Sequence, residues 1–376
     1  MKICFVIKRL DFFISHRLDL AINLAKTNSV SVITNTHDES IAQIEKISNH
    51  EIKIYHLEER EGSANIFSYI SYISSLKKLI LKIRPDSVYF VTLEMSFIGA
   101  LINHFISVKN NFFLITGLGP FFFNSRLKYR LARNLQKISF LLLPIKKNHK
   151  FIFQNSEDLK TFKDLGFAKN SQMILIPGNG INIKYFAFHK RAKNKNMIFL
   201  FASRLVNTKG FNEFLSAALS ISKKYDNAKF LVAGKYDVLD PDSISETNYK
   251  KLMNSKKISY LGHLPHSEMR ECFNQSSVFV LPSYGEGLPK VCLEAASTGL
   301  PIITTNVRGC RDCVKDTHNG FLINPMNAKE LEDAMESMIL LDTTNLSKYG
   351  KHSSEMVKSK YSLDIITQEY LKINSK

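Results

Sequence analysis

A chain of 376 residues is long for one hydrophobic core and natural for two domains of ordinary size. Its 44% hydrophobic content excludes wholesale disorder, and no apolar run approaches the roughly eighteen residues of a membrane-spanning helix; the nearest, Phe140 to Ile145, contains Pro144. The formal charge of +17 admits three kinds of partner, namely nucleic acid, an anionic membrane surface or phosphorylated substrates, and its excess lies mainly in residues 1–188, with 25 Lys+Arg against 14 Asp+Glu.

Ile3 to Ile7 reads as a first strand. Lys8, Arg9 and Asp11 follow at once, which argues against a secretory signal, and five scattered cysteines argue for a reducing cytoplasm. The next loop, IKRLDFFISH, has no glycine, so no glycine-rich phosphate cradle is expected there. Leu18, Ala21, Ile22 and Ala25 give one apolar face to a helix over His16 to Lys26, and Val30 to Thr34 is the next strand. This strand–helix–strand opening predicts a doubly wound α/β sheet. A helix over Ile66 to Ile83, a break at Arg84-Pro85-Asp86, and strands over Val88 to Thr92 and Phe112 to Ile115 continue it. The last strand runs into Thr116-Gly117-Leu118-Gly119-Pro120, a turn-forming cluster.

From Phe121 to Lys150 there are eight cations and no acid: Arg126, Lys128, Arg130, Arg133, Lys137, Lys146, Lys147 and Lys150, interleaved with phenylalanines and leucines. Such a basic, amphipathic stretch has the composition of a surface lying on anionic lipid, with Arg126, Lys128, Arg130, Arg133 and Lys137 as the expected membrane contacts. A core helix with a solvated basic face is the alternative. No nucleic acid is expected as a partner, because no recognised nucleic-acid module accompanies the stretch.

Phe151 to Asn155 is another strand, Ser156 an N-cap for the helix behind it, and Ile174 to Asn182 a strand entering a glycine-rich turn. His189 to Asn196, HKRAKNKN, reads as a linker with solvated charges. Strand Met197 to Ala202 then meets Ser203-Arg204-Leu205-Val206-Asn207-Thr208-Lys209-Gly210, where Arg204 and Lys209 form a cationic clamp suited to a diphosphate. Strand Phe230 to Ala233 ends at Gly234. Asp240-Pro241-Asp242 imitates a metal-binding motif but lies far in sequence from the paired glutamates described next, so it is read as a loop. Ile258 to Gly262 is a strand and turn, and His263 and His266 read as loop residues, not metal ligands. Val278 to Leu281 is a buried strand stopped by Pro282. Gly285 and Gly287 then let backbone N–H groups approach a ligand, and a helix beginning near Pro289 aims its positive end into the same space. Glu286 and Glu294 flank that helix start; neither needs core burial, and carboxylates beside a phosphate site suit the hydroxyls of a sugar or ribose. Cys310 and Cys313 make only half a zinc site. Asn319 to Ile323, Ala328 to Leu341 and Leu363 to Ile373 supply a last strand and two helices.

The stretch EGLPKVCLEAASTGLPII, with its E-x7-E spacing, closely resembles the signature of glycosyltransferase family 4, retaining enzymes of the GT-B fold. Thr116 to Gly119 resembles the branch of that family that builds lipid-linked O-antigen and capsule glycans. The resemblance implies an α/β GT-B architecture of two Rossmann-like domains, 1–188 for the acceptor and 189–359 for the nucleotide sugar, with a C-terminal helix within 360–376 returning to the first. It implies transfer of a hexose or N-acetylhexosamine from a nucleotide sugar, UDP-linked by expectation, to a polyprenyl-diphosphate-linked saccharide on the cytoplasmic face of a membrane. Arg204, Lys209 and Glu286 would be catalytic, and Glu294, Gly287, Leu288, Gly234 and Gly262 would bind the donor. His16, Glu94, Gly117, Gly119 and Asn179 are the candidate acceptor or cleft residues. The histidine that the family often places after the strand Val88 to Thr92 is absent here; Glu94 stands near its place. No cofactor or metal is expected. A non-catalytic nucleotide-binding or glycan-binding relative and a basic scaffold for membrane or nucleic acid are the alternatives.

Overall fold

The computed structural model describes residues 1–36, 41–57, 66–118, 145–191 and 195–375, and they form two compact units. The first comprises Met1–Gly180 and Leu363–Lys376, the second Ile181–Ser362. The division falls at Gly180, ahead of the expected boundary at 188, because Ile181 and Phe186 are already in the second unit's core.

The first unit is a seven-stranded parallel sheet. Its strands are β1 (Lys2–Arg9), β2 (Ser29–Asn35), β3 (Lys53–His56), β4 (Ser87–Val91), β5 (Asn110–Ile115), β6 (His149–Phe153) and β7 (Met173–Leu175), in the spatial order β3-β2-β1-β4-β5-β6-β7. Central β1 is apolar on both faces because each face carries helices. Ile3, Phe5 and Ile7 enter one core, and Cys4 and Val6 the other, as the two-residue strand period requires. On the first face lie Leu18, Leu24, Ile366 and Tyr370; on the second lie Leu76, Ile80, Met95, Ile98 and Phe162. At about 1.5–3 kcal/mol for each fully buried large apolar side chain, these faces fix the layer order.

The C-terminal helix Leu363–Asn374 sits on the first of these faces. The Asn374 amide donates to the Tyr89 hydroxyl at 2.6 Å, and fully buried Arg17 donates to the Tyr370 hydroxyl at 3.4 Å. The bulky first loop is in fact a helix, Leu10–His16, because Leu10 and Phe13 are both buried against the sheet. Asn155, not Ser156, caps the Ser156–Asp164 helix, accepting from the Asp158 N–H at 2.7 Å.

The second unit is a six-stranded parallel sheet. It contains β8 (Met197–Ala202), β9 (Ala228–Ala233), β10 (Ile258–Tyr260), β11 (Val278–Leu281), β12 (Ile302–Thr305) and β13 (Gly320–Ile323), in the order β10-β9-β8-β11-β12-β13. Its helices close one continuous core that includes Phe199, Phe201, Phe214, Phe230 and Phe279.

Arg191, expected among solvated linker charges, is a structural clasp. Its guanidinium donates to the carbonyls of Phe273 and Ser276, at the end of the His266–Gln275 helix, and of Thr298 and Gly299, at the end of the Lys290–Ser297 helix, all within 2.7–3.1 Å. A cation suits the negative end of both helices. Burial costs it something, since it pulls the Arg191 pKa down to about 10. Arg191→Ala should therefore lower unfolding stability by about 2 kcal/mol, the scale of losing charged hydrogen bonds to helix ends, and a urea midpoint unchanged from wild type would refute the clasp.

Candidate active site

In an open parallel sheet a ligand binds outside the carboxyl ends of the strands where the strand order reverses. In the second unit that point lies between β8 and β11, so the loops after these two strands are the place to look. Close backbone contact knits them together. Gly210 has φ 72°, and a Cβ there would stand 2.0 Å from the Pro282 carbonyl oxygen. Thr208 O accepts from the Tyr284 N–H at 2.9 Å and from the Ser283 hydroxyl at 3.1 Å. The loop after β12 closes the third side: at Gly309, φ 71°, a Cβ would fall 2.4 Å from Glu286 O.

On this platform Lys209 and Glu286, remote in sequence, form a half-buried ion pair. The pair uses one oxygen of Glu286, and no other partner of the Lys209 ammonium or of the second Glu286 oxygen is present among the described residues. A phosphate oxygen and a sugar hydroxyl could each be met there without first breaking the pair. The guanidinium of Arg308 approaches the same loop, with Nε and Nη2 3.6 Å from where a Cβ on Gly285 would lie. Arg308 was not singled out from the sequence; only its proximity in space marks it.

Arg204 reaches the same sheet edge but is turned to Asp240, with Nη1 2.6 Å from Oδ2. The Asp240-Pro241-Asp242 loop, set aside for its distance in sequence, thus lies directly on the Arg204–Lys209 loop in space. Asp242 accepts from the Thr208 N–H at 3.1 Å and from its hydroxyl. Both acids are therefore committed to organising the cationic loop. An exposed pair such as Arg204–Asp240 is worth only about 0–1 kcal/mol, so a diphosphate could draw Arg204 away at little cost.

Glu294 lies one turn into the Lys290–Ser297 helix, as its spacing requires, but it is only 4% exposed, contrary to the expectation that it need not be buried. Two donors converge on one oxygen: Lys290 Nζ at 3.3 Å and His266 Nε2 at 2.9 Å both reach Oε1. Oε2 has no partner among the described residues and is not sealed from solvent. Burial pushes the Glu294 carboxyl up, but the Lys290 charge and the His266 hydrogen bond outweigh it and hold the group below the ordinary glutamate value. The result is an ionised, fixed carboxylate with one open acceptor, which is what binding a hydroxyl pair requires. His266 is not a loop residue; it opens the His266–Gln275 helix and stacks at 6.0 Å on Tyr185, whose hydroxyl donates to Ser267 O at 3.0 Å. Lys290, placed four residues before Glu294, was the readable signal that sequence reasoning passed over.

No side chain caps the Lys290–Ser297 helix, since its N-cap is Pro289, so its amino end stays oriented toward the Glu286–Leu288 loop. The Gly234 N–H is already spent on Gly262 O at 2.7 Å, and Tyr260 donates to Gly234 O at 2.9 Å, so this pair of glycines ties the β9 and β10 turns together. Cys292, Cys310 and Cys313 are buried and reduced, and burial pushes their thiols above the usual cysteine range. Among the described residues no three His, Cys, Asp or Glu side chains gather as ligands for a metal.

The first unit has its own reversal point, between β1 and β4. Glu94 stands there in the first turn of the Leu93–Phe105 helix, 3.7 Å from Lys8. The residue before that helix, Thr92, has φ 93°, a strained value for a β-branched side chain. Gly117 has φ 148° in the turn after β5. His16 ends its helix, its Nδ1 2.7 Å from the Ser15 hydroxyl and its ring stacked on Phe12 at 4.2 Å. Asn179 is buried and accepts from Gln154 at 2.8 Å. Gly119 and the membrane candidates Arg126, Lys128, Arg130, Arg133 and Lys137 lie outside the described residues.

Two doubly wound parallel units, the second with opposed cationic and acidic groups on its reversal-point loops, define a protein of the GT-B class. Comparison with known proteins agrees: the family Glycosyl transferases group 1 matches residues 183–355 and Glycosyl transferase 4-like matches residues 2–155. The chain belongs to the family 4 glycosyltransferases. It is 27% identical over 345 residues to the N,N'-diacetylbacillosaminyl-diphospho-undecaprenol alpha-1,3-N-acetylgalactosaminyltransferase of Campylobacter jejuni, covering 88% of this chain and 87% of that one. It is 29% identical to the capsular polysaccharide biosynthesis glycosyltransferase CapM of Staphylococcus aureus, over 59% of this chain and 57% of that one. Among solved structures, Anabaena HepE in complex with UDP-glucose has the same fold, with a TM-score of 0.78 at 16% identity over 100% of this chain and 99% of that one. Among the described residues no helix is long and apolar enough to cross a membrane.

Proposed function

We propose that this glycosyltransferase moves a hexose or N-acetylhexosamine from a UDP-sugar to a lipid-linked saccharide, with retention of anomeric configuration. The observation that carries the reading is the fixed Glu294 carboxylate, held ionised with one open oxygen on the helix that follows the Glu286 loop, where Glu286 pairs with Lys209. The similarity to the Campylobacter jejuni enzyme, whose name specifies a diphospho-undecaprenol acceptor, supports the acceptor class. HepE, solved with UDP-glucose, supports the nucleotide through fold alone.

In this reading Glu294 takes the ribose hydroxyls, and Glu286 orients the donor sugar with help from the backbone N–H groups of Gly287 and Leu288. The bond between the anomeric carbon and the diphosphate breaks, and the acceptor oxygen bonds to that carbon on the same face. The acceptor's proton passes to the departing diphosphate. Lys209 and Arg204 offset the charge that grows on the diphosphate, the place where preorganised cations lower a barrier most. No side-chain base is then obligatory, consistent with Glu94 standing near the place where the family often has a histidine. The basic stretch around Arg126 to Lys137 would hold the enzyme on the inner face of a membrane, where the acceptor is presented.

The test is a thermal-shift screen of UDP, GDP, ADP and their sugars, followed by transfer to a detergent-dispersed polyprenyl-diphosphate saccharide. Stabilisation by UDP and its sugars alone, with an α-linked product from an α-linked donor, is the expected result. Stabilisation by none of them would overturn the reading. Transfer is further expected to survive excess EDTA, because the cationic side chains do the work of a metal; loss on chelation with recovery on magnesium or manganese would refute that mechanism.

A further inference from the structure

The outer face of the Ile66–Ile83 helix departs from the pattern of this chain's other surface helices. Three of those helices each pair a lysine with an acid four residues away, Lys250 with Glu246, Lys329 with Asp333 and Lys351 with Glu355. The Ile66–Ile83 helix carries Lys77, Lys78 and Lys82, is followed by Arg84, and has no Asp or Glu along its length. Among the described residues none of these four cations has a carboxylate partner.

The same helix leaves large apolar groups in the open. Tyr69, Ile70 and Leu81 are 51%, 58% and 51% exposed. Ile70, Ser74, Lys77 and Leu81 fall on one face by helical spacing, a strip about 16 Å long. Phe105, which ends the adjacent Leu93–Phe105 helix, widens that strip: it is 68% exposed, and Lys77 Nζ lies over its ring at 5.4 Å. Lys146 donates to Asn103 O beside it, so the chain emerging from the basic stretch returns to this end of the unit.

Unpaired lysines alone would suit any polyanion, and exposed apolar side chains alone would suit a protein partner. Their interleaving suits a surface that offers negative heads above an apolar layer, into which Ile, Leu and Phe can sink while lysine stems extend back to the heads. We propose that Ile70, Lys77, Lys78, Leu81, Lys82 and Phe105 form a docking face for an anionic bilayer, built from other parts of the sequence than the Arg126–Lys137 stretch. The proposal rests on the reading that the acceptor is lipid-linked.

The experiment is sedimentation with phosphatidylcholine vesicles, with and without phosphatidylglycerol, of the full chain and three variants. One carries Lys77, Lys78 and Lys82 changed to Gln; a second carries Ile70, Leu81 and Phe105 changed to Gln; the third carries Arg126, Lys128, Arg130 and Arg133 changed to Gln. The lysine variant should bind the phosphatidylglycerol vesicles roughly 100-fold more weakly, from three surface charges near an anionic leaflet, and the apolar variant at least about tenfold more weakly. Both should transfer sugar normally in detergent, since none of these residues is placed in the donor site. Wild-type binding by both variants, with only the Arg126-to-Arg133 variant impaired, would overturn the docking face. So would a wild-type dimer in solution that both variants dissolve, which would make the face an interface between copies. If no transfer occurs in detergent with any donor, the functional reading fails while the vesicle result still judges the surface.

Discussion

Lys209→Ala is expected to lower turnover by about 100- to 1,000-fold, the loss typical of removing one preorganised group that stabilises developing negative charge. The wild-type ammonium is half-buried and already oriented by Glu286, so little reorganisation is needed as the diphosphate departs. Removing it has a second cost, because Glu286 would remain as an unpaired carboxylate facing a dianionic leaving group. The loss should fall mainly on kcat, with donor KM changed less, because the interaction strengthens as the bond breaks. Lys209→Arg keeps the charge but not the compact geometry, and should recover only part of the rate. Arg204→Ala should also impair turnover while scarcely altering stability, since its exposed pair with Asp240 is weak. The checks are steady-state kinetics with a saturating UDP-sugar and a urea unfolding curve for each variant. Normal turnover in a folded Lys209→Ala enzyme would remove Lys209 from the mechanism.

The elements nearest the chemistry were legible in the sequence because their signals are local. Val278 to Leu281 is an apolar run ended by Pro282, and Met197 to Ala202 another ended by the Arg204–Lys209 loop; both are strands with those bounds. The Glu286–Glu294 spacing placed the second glutamate one turn into its helix because helical geometry allows little else. What was missed depends on chain segments that meet only in three dimensions. His266 reaches Glu294 through the packing of the helices they belong to, and Asp240 and Asp242 meet Arg204 and Thr208 because β8 and β9 are neighbours. Arg191 looked like one more linker cation, since carbonyls at two helix ends leave no mark in sequence. The Leu10–His16 helix was hidden for a different reason: it is two turns long, and its polar and charged neighbours mask the Leu10 and Phe13 spacing.

Glu294→Ala should destabilise the protein by about 3–5 kcal/mol, because it removes a carboxylate that lies 3.3 Å from a nearly buried Lys290 ammonium. Glu294→Gln separates charge from shape: it keeps the volume and one acceptor oxygen but removes the negative charge that faces Lys290. The sign of the pH dependence follows from the depressed pKa of Glu294. A carboxyl held below its unfolded value adds stability that is fully present above the unfolded pKa, about 4.3, and is lost as pH falls through the folded value. The gap between wild type and Glu294→Gln in urea unfolding should therefore be constant near neutral pH and shrink in acid below about pH 4. In the same proteins donor KM should rise by roughly 10- to 150-fold, the equivalent of about 1.5–3 kcal/mol for a hydrogen bond to a charged group, if the open Oε2 accepts from the ribose as proposed. His266→Gln, which removes one donor to Oε1 and leaves Lys290 in place, should give a smaller rise in donor KM with kcat nearly unchanged. A Glu294→Gln enzyme with wild-type donor KM would show that this carboxylate serves the fold alone, and a pH-independent stability gap would show that its charge does not stabilise the fold.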